Sequence, residues 1–280
     1  MPRERRFAQV DVFTATPLAG NPLAVVVDAD GLSDAEMAAF ARWTNLSETT
    51  FLLPPTTDLA DYRVRIFTPN GELPFAGHPT LGSAHVWLAS GGVARAVGEV
   101  VQECGVGLVR VRRDGARLAF AAPPLRRSGP VEDAAVRDQV LRSLRVEPSS
   151  LLDLVWVDNG PGWIAARLPD AATVAALAPD FAAMRGLKLG VVGAHPEGHE
   201  HQFEVRAFVP ALGIPEDPVT GSLNAGLALW LMAAGLAPDR YVATQGAALG
   251  RAGRVHVQRE GDVTWIGGDV TPLIQGHVHL

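Results

Sequence analysis

One cysteine, Cys104, stands among 280 residues. That excludes a disulfide within the chain and any zinc site built from several thiolates. Long apolar runs are missing too. No uninterrupted apolar stretch reaches the roughly 18 residues that a membrane helix needs. The longest candidate, Leu223–Leu236, reads as a buried helix. The opening Met-Pro-Arg-Glu-Arg-Arg leads into a strand-like pattern, not an apolar signal core, so the expectation is a cytoplasmic protein with no membrane partner. Positive charge is not in excess: 24 Lys and Arg face 30 Asp and Glu, a net charge of −6. The short basic clusters Arg3–Arg6 and Arg110–Arg113 do not make the basic face that a nucleic-acid partner requires. What is present is core material. Hydrophobic residues make up 48% and charged residues 19%, enough to bury a sizeable interior in a chain long enough for two domains.

The most informative pattern is an internal repeat. Arg65-Ile66-Phe67-Thr68-Pro69 returns as Arg206-Ala207-Phe208-Val209-Pro210, and His78-Pro79-Thr80-Leu81-Gly82-Ser83 as Asp217-Pro218-Val219-Thr220-Gly221-Ser222. Each is followed by an apolar stretch ending in glycine, at Gly91 and Gly235. Gln102 then corresponds to Gln245, and Val109–Gly115 to Val255–Gly261. A period this long is not a solenoid. It indicates two similar domains with pseudo-two-fold symmetry, drawn at 1–128 and 129–280, with the C-terminal tail able to pack back on the first.

Within the halves, Val10–Phe13, Leu23–Val27, Asp61–Phe67 and Leu154–Val157 read as strands. Ser33-Asp34-Ala35-Glu36 is a capping box before a helical run, Met37–Trp43. A helix is expected from Gly82 onward, a hairpin around Asp114-Gly115, and a linker over Ala121–Pro130. Mostly hairpin-like connections argue for an α+β fold over a doubly wound one.

Candidate chemistry gathers at the two Gly-rich turns, around Gly77-His78 and Gly221-Ser222. A helix start leaves backbone N–H groups unpaired and carries partial positive charge, so such turns can cradle a carboxylate or phosphate. They can equally be plain helix starts with Pro and Ser caps. His78 and Asp217 are the ionisable groups there. Glu48, in Asn45-Leu46-Ser47-Glu48-Thr49-Thr50-Phe51, is a third candidate. Partial burial would raise its pKa and suit it to proton transfer, while the alternative is a surface or capping carboxylate. His195, His199 and His201 have a loosely metal-like spacing but read as a solvated loop able to hold metal adventitiously. The six tryptophans read mostly as packing.

These residues resemble a known family. Asp11-Val12-Phe13, Gly20-Asn21-Pro22-Leu23-Ala24-Val25, Asn45–Phe51, Arg65–Pro69, Glu72–Gly82 and Glu216–Ser222 are similar to the PhzF-like, phenazine-biosynthesis family over nearly the whole chain. The resemblance implies the diaminopimelate-epimerase fold. Two similar domains each curl a sheet around a central helix, with the active site in the cleft between them. It further implies a homodimer, a small carboxylate substrate, and neither metal nor organic cofactor. The founding activity isomerises trans-2,3-dihydro-3-hydroxyanthranilate by moving a proton across an allylic system. Carried over by residue, Glu48 matches the acid/base glutamate, and His78 and Asp217 its assisting groups. The amides of Gly77, His78, Gly221 and Ser222 match those that hold the substrate carboxylate. Gln245-Gly246 and Gly250-Arg251 keep a later motif, but Ala252-Gly253 departs from the family's Pro-Ser. The related two-thiol racemases are excluded, because the turns carry His78 and Asp217 and Cys104 lies elsewhere. The expected activity is therefore a cofactor-independent isomerase. An epimerase, a dehydratase-type lyase and an inactive binding protein of the same fold are the alternatives.

Overall fold

The computed structural model describes residues 2–280. The chain forms two compact units. The first takes residues up to Ala121 together with Gly267–Leu280, and the second is Ala122–Ile266. Elements of the first are β1 (Glu4–Val12), β2 (Asn21–Val26), α1 (Asp34–Thr44), β3 (Thr49–Leu53), β4 (Tyr62–Thr68), β5 (Gly71–Leu73), α2 (Gly77–Ala89), β6 (Glu99–Cys104), β7 (Gly107–Asp114) and β8 (Arg117–Ala121). The second contains β9 (Arg127–Pro130), α3 (Ala134–Leu144), β10 (Asp153–Asp158), β11 (Ile164–Arg167), α4 (Ala171–Ala175), β12 (Leu189–Ala194), β13 (Phe203–Val209), β14 (Ile214–Asp217), α5 (Gly221–Ala233), β15 (Arg240–Gln245) and β16 (Gly253–Glu260). Along β17 (Val263–Gly268) the chain leaves the second unit, and β18 (Val270–His279) belongs to the first.

Both units use the same pairing scheme. In the first, β1–β2 is antiparallel, β2–β3 parallel across α1, β3–β4 and β4–β5 antiparallel, β4–β6 parallel and β6–β7 antiparallel. In the second, β10–β11, β11–β12 across α4, β12–β13, β13–β14, β13–β15 and β15–β16 repeat that order of senses. The result is the mixed α+β architecture that the hairpin-like connections foretold. The outer strands move the expected boundary from 128 to 121. β9 lies inside the expected linker, but it pairs with β10 and so joins the second unit. Pro130 is tolerated because it ends a four-residue strand. β18 pairs with β1 along nine residues, which returns the tail to the first unit.

Each unit wraps its sheet around one helix. In both α2 and α5, nine of thirteen residues are buried, as befits a helix apolar on all sides. α2 touches β1, β2, β3, β4, β6, β7, β8 and β18. Glycine sets the closest approach. A Cβ on Gly82 would fall 2.5 Å from Leu23 Cδ2, and one on Gly226 would fall 2.4 Å from the backbone oxygen of Val157. Further helices cover other apolar faces. Met37, Phe40 and Ala41 of α1 pack on Val26, Phe51 and Phe67, and Val140 and Leu144 of α3 join a core with Leu154, Ile164 and Phe208. Trp43 departs from the packing expectation: it is 79% exposed and stacks on Phe40. No helix among the described residues is long and apolar enough to cross a membrane.

Gly226→Ala should destabilise the fold by about 1–3 kcal/mol, the usual range for overpacking. Gly82→Ala should cost less, because the tip of a leucine can turn aside and a strand carbonyl cannot. Urea denaturation of the two variants checks the order.

Candidate active site

The helix starts differ between central and covering helices. α1, α3 and α4 are capped by the side chains of Ser33, Asp133 and Asp170, and Ser33 forms the full capping box with Glu36. α2 and α5 begin after Ala76 and Thr220 with no side-chain cap. Their first amides, on Gly77 and His78 and on Gly221 and Ser222, are the donors that a helix otherwise satisfies with a cap.

α2 starts at Gly77, five residues before the expected Gly82. Pro79 fits because it lies in the first turn, where no helical N–H bond is lost. This corrects the alignment of the repeat. Gly77 and Gly221 stand 144 positions apart, as do His78 and Ser222, Thr80 and Asn224, and Gly82 and Gly226. His78 is thus the counterpart of Ser222. Asp217 ends β14, four residues before its helix.

In the first unit, Glu48 and His78 come together. Glu48 precedes β3, with its side chain 15% exposed, and its Oε2 lies 3.4 Å from Nε2 of His78, which is 4% exposed. The other ring nitrogen, Nδ1, is 3.3 Å from the amide nitrogen of Asn21. The Asn21 side-chain N–H donating to Nδ1 leaves the ring proton on Nε2, the nitrogen nearer the Glu48 carboxylate. Burial pushes the His78 pKa down to about 3, so the ring is neutral at physiological pH. Around this pair, Gln102 accepts from Tyr62 Oη at 2.9 Å and donates to Thr80 Oγ1 at 3.1 Å. Ser83 donates to Thr50 Oγ1 at 2.9 Å.

In the second unit, Gln245 ties down the turn between β14 and α5. Its Oε1 accepts from the Thr220 amide at 3.0 Å and from Asn224 Nδ2 at 2.9 Å. Its Nε2 donates to the Asp217 carbonyl at 3.1 Å and to Thr220 Oγ1 at 3.0 Å. Thr220 Oγ1 donates in turn to Asp217 Oδ2 at 2.5 Å. Gly246 follows at φ 98°, where a Cβ would also lie 2.7 Å from the Pro218 carbonyl, so glycine is required. Ser222 is held by Trp163 Nε1, 3.0 Å from its Oγ, and by Asn159 Nδ2, 2.8 Å from its carbonyl oxygen. Gly253 packs against Val219, whose Cγ2 a Cβ there would meet at 2.3 Å.

Sequence reasoning missed Asn21, Asn159, Trp163 and the two glutamines as supports of the site. The paired offset of Gln102 and Gln245 was the signal for the glutamines; the asparagines were hidden among turn residues. Cys104 closes β6, and burial raises its thiol pKa. The histidine loop is less solvated than expected. The His195 and His199 rings stack at 4.1 Å, His195 Nε2 lies 3.0 Å from Thr244 Oγ1, and His199 Nδ1 is engaged with the backbone of His201. No group of three or more His, Cys, Asp or Glu suited to a metal ion occurs among the described residues.

Comparison with known proteins adds the lineage. A family model described as phenazine biosynthesis-like protein matches residues 10–276. Antisense-enhancing sequence 1 of Schizosaccharomyces pombe is 37% identical over 89% of this chain and 88% of its own. Trans-2,3-dihydro-3-hydroxyanthranilate isomerase of Pseudomonas aeruginosa is 34% identical over 91% of each. A crystal structure of a PhzF-family protein from Enterococcus faecalis superposes with a TM-score of 0.82 at 26% identity, covering 99% of this chain and 100% of that one. A hydroxyproline epimerase from Agrobacterium vitis, with a TM-score of 0.58 and 16% identity over 99% of this chain and 93% of its own, shares the fold alone.

The neutral His78 has a thermodynamic signature. Its folded pKa lies below the ordinary value of 6.5, so between about pH 3 and 6.5 the unfolded chain binds the extra proton. Stability from this group is intact above pH 6.5 and falls as the pH drops through that window. Nitrogen-15 spectra should keep the Nε2–H tautomer at pH 5, and His78→Gln should flatten the dependence of stability on pH between 4 and 6. An imidazolium signal from His78 at pH 5 contradicts this picture.

Proposed function

The chain belongs to the phenazine biosynthesis-like family, and from that premise we propose that it is a metal- and cofactor-independent isomerase that moves one proton within a small carboxylate. The carrying observation is the Glu48–His78 pair, a partly exposed carboxylate facing a buried neutral imidazole beside an uncapped helix start. Relatives named as trans-2,3-dihydro-3-hydroxyanthranilate isomerases support the reaction class and make that compound the first substrate to test.

In this reading Glu48 accepts a proton from an acidic C–H of the substrate. The electron pair of that bond forms a new C=C while the allylic double bond shifts, and the carboxylic acid of Glu48 returns the proton to the far carbon. No electrons leave or enter, and no co-reactant is consumed. His78, neutral and with its proton on Nε2, stands 3.4 Å from the Glu48 carboxylate and biases its orientation electrostatically. A histidine with an ordinary pKa would be partly protonated near pH 6 and would hold Glu48 in an ion pair. The low pKa of His78 avoids that competition.

The substrate carboxylate is assigned to the amides of Gly77, His78, Gly221 and Ser222, with Asp217 assisting proton transfer. Helix N-termini favour such an anion, and holding it makes proton transfer effectively intramolecular. The proposal includes a homodimer as the working form, which sedimentation equilibrium tests.

Glu48→Gln should fold normally and lower kcat by about 100-fold or more, the scale of losing a general base. In deuterium oxide, the wild-type product should gain solvent deuterium at the newly protonated carbon. Near-normal turnover of Glu48→Gln removes Glu48 from the mechanism. Inorganic phosphate should inhibit competitively, and dialysis against chelators should leave activity unchanged. Purely non-competitive inhibition would argue against the helix starts as the carboxylate site.

A further inference from the structure

Asp217 ends a strand that has little of its own to hold it. β14 has four residues, registers with β13 at only three positions, and faces a register shift between Phe208 and Val209. Pro215 contributes no backbone N–H to it, and Pro218 follows directly after it. The residue before Asp217 is, by contrast, firmly held. Both carboxylate oxygens of Glu216 accept from Arg206, from Nε at 2.9 Å and from Nη2 at 2.7 Å. The two side chains are only 5% and 4% exposed. Arg206 is anchored in turn by its Nη1, which donates to the Leu177 carbonyl at 2.7 Å, and by the Phe208 ring beneath it at 5.0 Å.

The other repeat shows what such a pair looks like when nothing critical adjoins it. Arg65 grips Glu72 with the same fork, at 2.7 and 2.6 Å, but Glu72 is 42% exposed and lies six residues before His78. Folding the hairpin therefore does not require a buried pair. Burying one costs desolvation that an apolar pair of similar size would avoid. What burial adds is a fixed geometry, and the peptide next to it carries Asp217. Thr220 and Gln245 hold the carboxylate and the carbonyl of Asp217 from the helix side. Arg206–Glu216 holds it from the strand side.

We propose that the buried Arg206–Glu216 pair is a positioning device that aims the Asp217 carboxylate, placing both residues among those on which turnover depends. The inference rests on the assignment of Asp217 to proton transfer. Neither Arg206 nor Glu216 meets the substrate. They act through the one peptide that joins Glu216 to Asp217.

The test is a cycle of variants on the whole protein, read by kcat, KM, the pH–rate profile and thermal melting. Arg206→Met/Glu216→Leu replaces the pair with apolar side chains. It should melt at or above the wild-type temperature, with kcat reduced about tenfold or more and KM within about threefold, as expected for a misplaced catalytic group. Asp217→Asn should cost much less in this background than in the wild type, and the limb of the pH–rate profile lost with Asp217→Asn should be weakened. Arg206→Lys, which keeps the charge and loses the fork, should fold and show a smaller fall in kcat. A folded double variant with wild-type kcat overturns the proposal, and so does an unchanged kcat in Arg206→Lys. Full additivity with Asp217→Asn overturns it while leaving Asp217 in the mechanism. Failure of the apolar double variant to fold also overturns it, by showing that the pair is a folding requirement. An inert Asp217→Asn in the wild type is a separate result, which takes down the assignment of Asp217 and the proposal with it.

Discussion

Gly82 and Gly226 sit at the sixth position of the two central helices, and a methyl group on either would strike a neighbouring strand. This contact is the constraint on which each unit depends. A helix can be enclosed by a curled sheet only if the strands come close, and strands come that close only over small residues. Enclosure has a second effect. The first turn of the helix is drawn into the interior, where a polar amide without a partner is costly. The covering helices solve the problem locally, with serine or aspartate caps. The central helices have no such cap, which sets their first turns apart from those of the covering helices.

The two helix starts are equipped differently. His78 takes a place in the helix itself, neutral because it is buried, and faces a carboxylate from a different segment of its own unit. Its counterpart, Ser222, is held by Trp163 and Asn159 and carries no charge. The ionisable residue just upstream of that helix start, Asp217, lies on a strand. A duplicated framework has thus been loaded with unlike groups at its two helix starts. An identical acid/base group at each start would serve a symmetric inversion better.

Much of this was legible in the sequence. Residues that act through side-chain period or cap chemistry announce themselves. The capping box at Ser33 and Glu36 stands as read, and so do the hairpin at Asp114-Gly115 and the strand before Asp158. The repeat disclosed two like units because both halves must pack the same helix in the same way. Motif matching failed where chemistry and geometry differ in spacing. Setting His78 against Asp217 aligned similar letters, whereas the helix starts align His78 with Ser222. The start of α2 was misplaced because Gly82 resembles punctuation and Pro79 an obstacle, yet one serves packing and the other fits the first turn. β9 was invisible because Arg-Ser-Gly-Pro has no alternation, and only its partner β10 makes it a strand. Asn21 could not be singled out, since its role depends on a residue 57 positions away.

The return of β18 to the first unit has a consequence for the birth of the protein. β1 is made well before its partner along nine residues, β18, which lies beyond the whole second unit in the chain. On the ribosome, one edge of β1 waits while more than 250 residues are added. The second unit, Ala122–Ile266, is contiguous in the chain and can close as soon as it emerges. The first must hold an open flank through that interval, exposed to pairing with any passing extended strand. Vectorial synthesis thus makes the N-terminal half of this chain the later one to finish.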